Sequence, residues 1–476
     1  MHFLHERVTG LADELGMQSR ALLTPLLSLV VAMPSCAYLL QSGQPEETPT
    51  GAATTASPVA TVATVVRLGG SNTMGNELAP KLALGFLSHA GSSDGKIDES
   101  GKAKNKIVVS GHVKGELVTF AIDYPGSSAA FQCLGAKACD IGMASRPING
   151  EEIDKLKPLF EIPSAATEHV VAMDGIAVVV NRANRVVKLS VSQIADIFSG
   201  TTTNWSQVGG SSQPIQRYVR GTDSGTYDTF QHVVMHGKKI SIEGAKVLES
   251  EPLSQAVSAD EGGIGFIGLP YVDHCKALAV QDGDGAALTP SAFSVATEDY
   301  ALSRRLFFYT PEKPEKALAS QFVDFALSDD GQKIVEQTGF VSLAVAEANL
   351  QSPANAPPEY TTAIAGARRL SFDFRFHAGT SALDVKGKAD VDRLVRYLKK
   401  ATPKPTVSLF GFTDNTGVET KNVELSRQRA KAVADFLKRG GIETNAVDGF
   451  GSALSIAPND TPEGRDKNRR IEVWVK

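Results

Sequence analysis

Apolar and polar positions change rhythm several times along the chain, and the changes divide it. Residues 21–33 form a mostly apolar run, interrupted by Thr24, Pro25 and Ser28, with Arg20 before it and Pro34, Ser35 and Cys36 behind it. Residues 41–63 carry Pro, Thr, Ser, Gly and Ala with almost no large apolar side chain, the composition of a flexible tether. From residue 65 onward, short β-branched runs alternate with helical patterns. Residues 65–68 predict a strand ending in Gly69-Gly70-Ser71-Asn72-Thr73-Met74, and Leu78, Leu82, Phe86 and Leu87 predict the helix after it. Residues 107–110 and 118–122 are strand-like, and Gly126-Ser127-Ser128 opens another helical stretch through Phe131. Residues 176–180 are continuously apolar, as in a strand buried on both faces. Strand, Gly/Ser turn and helix recurring in this order predict an α/β module with ligand groups at helix starts.

Pro353, Pro357 and Pro358 lie in a small, polar stretch, 344–366, that reads as a second linker. Beyond it, 370–376 alternates as a strand, and 387–399 predicts a helix with Val391, Leu394, Val395 and Leu398 on its apolar face. Residues 407–412 predict another strand, ending in Thr413-Asp414-Asn415-Thr416-Gly417. A helix over 422–438 buries Ala430, Val433, Phe436 and Leu437, and 446–451 and 471–475 complete a small α+β sandwich. The expected organisation is an N-terminal segment 1–40, a tether 41–63, an α/β module 64–345, a linker 346–366 and an α+β module 367–476.

Charge sharpens this division. The chain of 476 residues carries a net −5, which argues against a nucleic-acid partner. Residues 367–476 hold 21 basic against 14 acidic residues, a balance of +7, while the rest stands at −12, so two modules of opposite sign are joined. The 21–33 run is too short to span a membrane if it stops at Cys36. It resembles a bacterial lipoprotein signal with Cys36 as the lipidated residue, although Met33 is unusual in such a signal. Extended through residue 40 it reaches the ~20 residues of a membrane anchor, the rival reading. Cys133 and Cys139, six residues apart, permit a local disulfide in an oxidising compartment, and Cys275 reads as a buried thiol.

The candidate chemistry centres on residues 220–230. Arg220 offers a planar, permanently charged fork suited to a tetrahedral oxyanion. Ser224 and Thr226 flank Gly225, which lets backbone approach a ligand closely, and the helix that follows would turn its positive end toward an anion. The competing reading is a hydroxyl-rich helix cap on an ordinary loop. Similar turns at Thr73 and Ser127 make three candidates for one site. His232 and His236 share a helix face, but without the glutamate of a zinc-protease helix they mark no metal site. Ser224 has no base beside it in the sequence, and no catalytic constellation or cofactor motif is present.

Over 64–345 the chain resembles the periplasmic phosphate-binding proteins, the solute receptors of phosphate ABC transporters. The matching pieces are Gly70-Ser71-Asn72-Thr73, Gly126-Ser127-Ser128, the run from Asp140 to Pro147, the run from Asp174 to Asn181, the run from Ile194 to Gly200, Thr203-Asn204-Trp205, Arg220 through Thr226, Gly262-Gly263-Ile264-Gly265-Phe266, Leu302-Ser303-Arg304 and Phe340-Val341. The resemblance implies a two-lobed fold closing about a hinge, and phosphate contacts from Thr73, the backbone of Met74, Ser127, Arg220, Ser224, Gly225 and Thr226. It also implies an ABC permease as a partner. Several members carry Asp where this chain has Arg146. Arg146 either faces the ligand and strengthens anion binding, or turns away to pair with an acidic neighbour.

In the C-terminal module, Asn422, Ser426 and Arg429 share a helix face and Asp414 lies on the turn before it. A carboxylate beside a guanidinium suits a zwitterion, unless the two simply pair with each other. Gly411 through Gly417, Asn422, the run from Leu425 to Ala430 and Asn468-Arg469-Arg470-Ile471-Glu472 resemble the OmpA-like peptidoglycan-binding domains. That resemblance implies that Asp414, Asn422, Arg429 and Arg469 grip the diaminopimelate of a peptide stem. Some members carry Asn where this chain has Gly379. Together these features predict a cell-envelope binding protein, not an enzyme, in the periplasm of a Gram-negative bacterium. It would capture phosphate or a related oxyanion, attach to peptidoglycan, and reach the membrane through its N-terminus. The alternative is a structural tether whose receptor-like module binds a protein or nothing.

Overall fold

The computed structural model describes residues 64–476, apart from residue 223, residues 377–379 and residue 381; these residues belong to one compact unit. Cys36 and the 41–63 tether lie outside the described residues. Strand Thr64–Gly70 runs parallel to Glu116–Asp123 on one side and Ile141–Ala144 on the other. The helix Ala79–His89 lays Leu82, Phe86 and Leu87 onto this sheet, the apolar stripe its sequence spacing predicts. Phe86 meets Phe120 edge-on with ring centroids 5.7 Å apart.

Strand Glu168–Val180 belongs to two sheets. Its residues 168–175 pair with Ser303–Tyr309 in the first sheet, and 176–180 pair with Gly263–Gly268 in a second. Gln216–Val219 and Lys246–Val247 extend that second sheet. The chain thus leaves the first lobe along one long strand and returns through residues 297–302 into Ser303–Tyr309. Its continuous apolar character follows: residues 170–180 are buried throughout. The result is a two-lobed α/β fold hinged at two crossings. Cys133 and Cys139 form a disulfide with Cα atoms 5.3 Å apart, and Cys275 is a buried free thiol.

The C-terminal sheet runs Glu347–Ala348, Arg368–Arg375, Arg470–Val475, Val407–Gly411, Thr444–Gly449. Helices Val385–Lys400 and Glu419–Arg439 pack Leu394, Leu398, Val433 and Leu437 against Leu370, Phe372 and Phe374. Phe436, expected on the buried face, is 38% exposed, with the Arg439 guanidinium over its ring. The stretch 346–366, expected as a linker, carries strand Glu347–Ala348 and helix Pro358–Ile364. Proline is tolerated in the first turn of a helix, whose amides have no intrahelical partner, so the Pro pair starts a helix here. Tyr360 and Ile364 then bury against Phe410, Phe412 and Trp474.

Strand Arg368–Arg375 directs Leu370, Phe372 and Phe374 into the core, and the alternate residues Arg369, Asp373 and Arg375 are buried as well. The receptor module covers that second face. Arg369 pairs with Asp299 at 2.7 Å and with Asp373 at 2.6 Å. Arg369 thus meets a carboxylate of the receptor module, Asp299, in a buried seam. Among the described residues no helix is long and apolar enough to cross a membrane.

Candidate functional site

A cavity of about 270 Å³ opens where the lobes meet. Its wall includes Asn72, Thr73 and Glu77 from the first lobe, Asp174 at the hinge, and Arg220, Ser224, Gly225, Thr226 and Glu249 from the second. Arg220 sits at the carboxyl end of strand Gln216–Val219, and Thr73 just beyond Thr64–Gly70, where open α/β sheets place ligands. Ser224 is the N-cap of helix Gly225–Val233, its hydroxyl accepting from the Thr226 and Tyr227 amides at 3.2 and 3.4 Å. The cap and the candidate anion site are thus one turn: the oxygen serves the helix while its proton stays free to donate. Phe230 stacks on Phe266 with centroids 4.0 Å apart, which seats the helix on the second sheet.

The lobes touch at this turn. A Cβ on Gly225 would stand 2.4 Å from Thr73 Cα, so only glycine allows the approach. Arg304 bridges the contact, donating from Nη2 to Thr73 Oγ1 at 2.6 Å and to the Gly225 carbonyl at 3.1 Å, and from Nε to Asp174 at 3.2 Å. The Gly225 carbonyl also accepts from Thr73 at 3.3 Å and from Thr229 at 2.8 Å. Arg220 donates to Ser250 Oγ and, at 2.5 Å, to Glu249. Glu77, Asp174, Glu249 and Glu251 give the wall four carboxylates.

A second polar pocket lies in the C-terminal module. Asp414 accepts from Arg469 at 2.7 Å and from the Thr416 amide at 2.9 Å. Burial pushes its carboxyl up, but hydrogen bonds from Thr416 and Arg469 outweigh burial and hold it below the ordinary range. Arg429 does not pair with it. Its Nε donates to the Thr380 carbonyl at 2.9 Å, and among the described residues neither terminal nitrogen has a partner. Burial, reinforced by Arg469 and opposed by Asp414, pushes the Arg429 guanidinium down to about 10.

Residues 112–330 match the family model of the PBP superfamily domain, and residues 375–469 match that of the OmpA family. Protein SphX of Synechococcus elongatus is 35% identical over 242 residues, covering 48% of this chain and 69% of the relative. Phosphate-binding protein PstS of Staphylococcus epidermidis is 33% identical over 226 residues, covering 46% of this chain and 68% of the relative. The chain belongs to the phosphate-binding protein family. Its C-terminal part is an OmpA-family domain. An ABC-type phosphate transport receptor from Vibrio cholerae, 24% identical, superposes with a TM-score of 0.44 over 58% of this chain and 99% of its own. The PstS relatives are named as binding proteins, not as enzymes.

In the phosphate-binding module the structure gathers Thr73, Arg220, Ser224, Gly225 and Thr226 around the cleft, while Met74, Ser127 and Arg146 are absent from its wall. Met74 is buried at the start of the turn Met74–Leu78. Ser127 opens helix Ser127–Gly135, its Oγ 3.1 Å from both Ser145 Oγ and the Ser145 amide. Arg146 donates to both oxygens of Glu152 at 2.8 Å, and Ser128 Oγ accepts from it at 3.0 Å. The pairing has a local cause: Glu152 also closes the capping box of Asn149 on helix Gly150–Leu156, six residues along the chain. In the OmpA domain, Asn422 reaches the Asp414 carbonyl at 3.5 Å and so supports the turn. Sequence reading assigned no role to Arg304, Asp174, Glu249 or Ser250. Arg304 and Asp174 fall inside stretches quoted for the resemblance; Glu249 and Ser250 carry no sequence signal.

Proposed function

We propose that this chain is a cell-envelope receptor that captures inorganic phosphate between its lobes and is held to peptidoglycan by its OmpA domain. The observation that carries the reading is the meeting of Arg220, the Ser224 hydroxyl and the N-terminus of helix Gly225–Val233 in one cleft closed by Thr73. Permanent positive charge, hydroxyl donors and a helix N-terminus suit a tetrahedral oxyanion. The wall carboxylates favour one that still bears a proton: protonated phosphate can donate to a carboxylate, whereas fully ionised sulfate is repelled. The curated PstS relatives are named for phosphate. In the OmpA domain, Asp414 would take the ammonium and Arg429 the carboxylate of diaminopimelate in a peptide stem. An N-terminal lipid on Cys36 or an uncleaved anchor, and delivery to an ABC permease, complete the reading.

Calorimetry of the full chain against phosphate, arsenate and sulfate tests it. Phosphate should bind in preference to sulfate, and Arg220→Ala should weaken it by about two to three decades, the loss of a buried charge-assisted partner. No binding of any of the three anions would leave the structural tether as the surviving reading.

A further inference from the structure

The OmpA domain meets the receptor where the chain returns from the second lobe to the first. Between helix Ala292–Ala296 and strand Ser303–Tyr309 the backbone passes through Glu298, whose φ of 62° lies in the left-handed region. The OmpA domain holds this crossing from several sides. Arg369 donates to Asp299 at 2.7 Å, Arg375 donates to the Thr297 carbonyl at 3.2 Å, and Lys467 donates to the Ala301 carbonyl at 3.1 Å. Arg305 links Glu298, at 2.9 Å, to Asp384, at 2.7 Å, and Asp384 is the N-cap of helix Val385–Lys400. Burial pushes the Glu298 carboxyl up, but Arg305, Arg375 and Lys386 bring it down to about 2, so it stays ionised among them.

The domain also reaches both lobes. Met173, Ser342 and Ala344 of the first lobe share a small seam cavity with Ser371, Lys386 and Asp390. In the second lobe, the turn following strand Ala279–Gln281 packs on Ile456 and Pro458, and a Cβ on Gly285 would fall 2.5 Å from the Ile456 carbonyl oxygen. Short covalent steps connect this seam to each site. Arg304, which joins Thr73 to Gly225, is the chain neighbour of Arg305. Arg375 donates to the Asp466 and Lys467 carbonyls at 3.2 and 2.5 Å, and Arg469, two residues further on, holds Asp414.

We propose that the OmpA domain is a splint across the receptor's hinge, with Arg305, Arg375 and Lys467 as positioning residues, so that anion capture and stem-peptide binding are thermodynamically linked. The proposal rests on the function proposed above. Opening the lobes turns the 297–302 crossing, which cannot turn without disturbing the bonds made by Thr297, Asp299 and Ala301. Both sites are formed in one arrangement, with Thr73 against Gly225 in the cleft and, among the described residues, the outer nitrogens of Arg429 without a partner in the pocket. Each ligand favours the arrangement the other uses, which makes the linkage positive.

Calorimetry on the full chain measures phosphate affinity with and without a saturating soluble tripeptide ending in meso-diaminopimelate, and the peptide's affinity with and without phosphate. The expected tightening is about fivefold or more and equal in both directions. Lys467→Met and Arg305→Met should bring the factor to one while each ligand still binds alone, and Arg305→Lys should restore most of it. A merely structural role would lower thermal stability and leave the factor unchanged. Amide exchange reads each direction separately: the peptide should slow exchange in helix Gly225–Val233, and phosphate should slow it in residues 466–469. Two bound ligands with a factor of one, or exchange at each site indifferent to the other's ligand, would overturn the splint. If one ligand gives no heat, that half of the proposed function falls, and the other ligand's exchange arm decides the splint.

Discussion

The cleft holds Arg304 and Arg220, and the OmpA pocket Arg429, in opposite ways. In the cleft, Arg304 spends its donors on Thr73, Gly225 and Asp174, and Arg220 is held by Ser250 and Glu249. In the pocket, Arg429 is buried, and among the described residues neither of its terminal nitrogens has a hydrogen-bond partner. Arg220 Nε has no partner among the described residues, but both terminal nitrogens are engaged, so an anion would bind by exchanging partners. The one to be exchanged is accessible, since the Glu249 side chain is 72% exposed and water receives it at little cost. An unsatisfied, buried guanidinium lowers the stability of the free protein, and a ligand carboxylate recovers that cost. On the proposed function, the cleft would take up its ligand by exchange, and the pocket would hold its ligand by recovering the cost of a buried charge.

The largest effect expected from this contrast is in the pocket. Arg429→Ala and Asp414→Ala should each reduce sedimentation with purified peptidoglycan by about a hundredfold or more, and the double variant should be little worse than either. Because Arg429 has few partners to lose, its removal should leave the melting temperature unchanged or raise it. A melting temperature that falls by many degrees would mean the guanidinium is satisfied after all. A general basic-surface attraction makes a different forecast. Asp414→Ala would then sediment as well as the wild type, and moderate salt would release every variant alike.

The two sites were also unequally legible in the sequence. The crossing strand announced itself through continuous apolar residues, and Arg220 and Ser224 through charge and hydroxyls around a glycine. What sequence could not supply was the covering of polar faces. Strand Arg368–Arg375 alternates like a half-exposed strand, yet Arg369, Asp373 and Arg375 are buried, because their partners Glu298 and Asp299 lie about seventy residues away in another module. Alternation tells which residues share a face and says nothing of what covers it. Residues 346–366 failed for a local reason: Pro357 and Pro358 serve equally to break a chain and to start a helix, and only Tyr360 packing on Trp474 decides between them. Arg146 had two open orientations, and the contact that distinguishes them in the structure is a helix-capping glutamate.

A smaller effect, of opposite sign, tests the claim that the cleft binds by exchange. Glu249 and a bound anion compete for Arg220. Glu249→Gln removes the competing charge without removing the side chain's bulk, and the Glu249 end of the clamp it loosens is largely in water. Phosphate affinity should rise about three- to tenfold, measured by calorimetry at low salt and fading as salt screens the wall. Weaker binding in the variant would make Glu249 a groove wall the ligand needs, and the contrast with the pocket would collapse.

The smallest effect concerns Arg146, where a substitution that looks drastic should do little to the ligand. Its guanidinium is engaged by both Glu152 oxygens at 2.8 Å, by Ser128, and by the Phe131 ring 5.4 Å below. A charge so engaged has little field left for an anion. Arg146→Met should therefore change phosphate affinity less than about threefold, and the slope of affinity against pH through the second phosphate ionisation should match the wild type. The variant should register instead in stability. Burial pushes the Glu152 carboxyl up, but the Arg146 hydrogen bond and the Asn149 amide outweigh it, so its folded value lies below the ordinary 4.5. A depressed carboxyl contributes stability that is present above its unfolded value and lost as pH falls through the folded one. The wild type should thus melt higher than Arg146→Met at neutral pH, with the gap closing below about pH 4.5. A flattened affinity slope with an unchanged stability gap would mean that Arg146 abandons Glu152 for the ligand, and the cleft would then owe its selectivity to a residue outside its present wall.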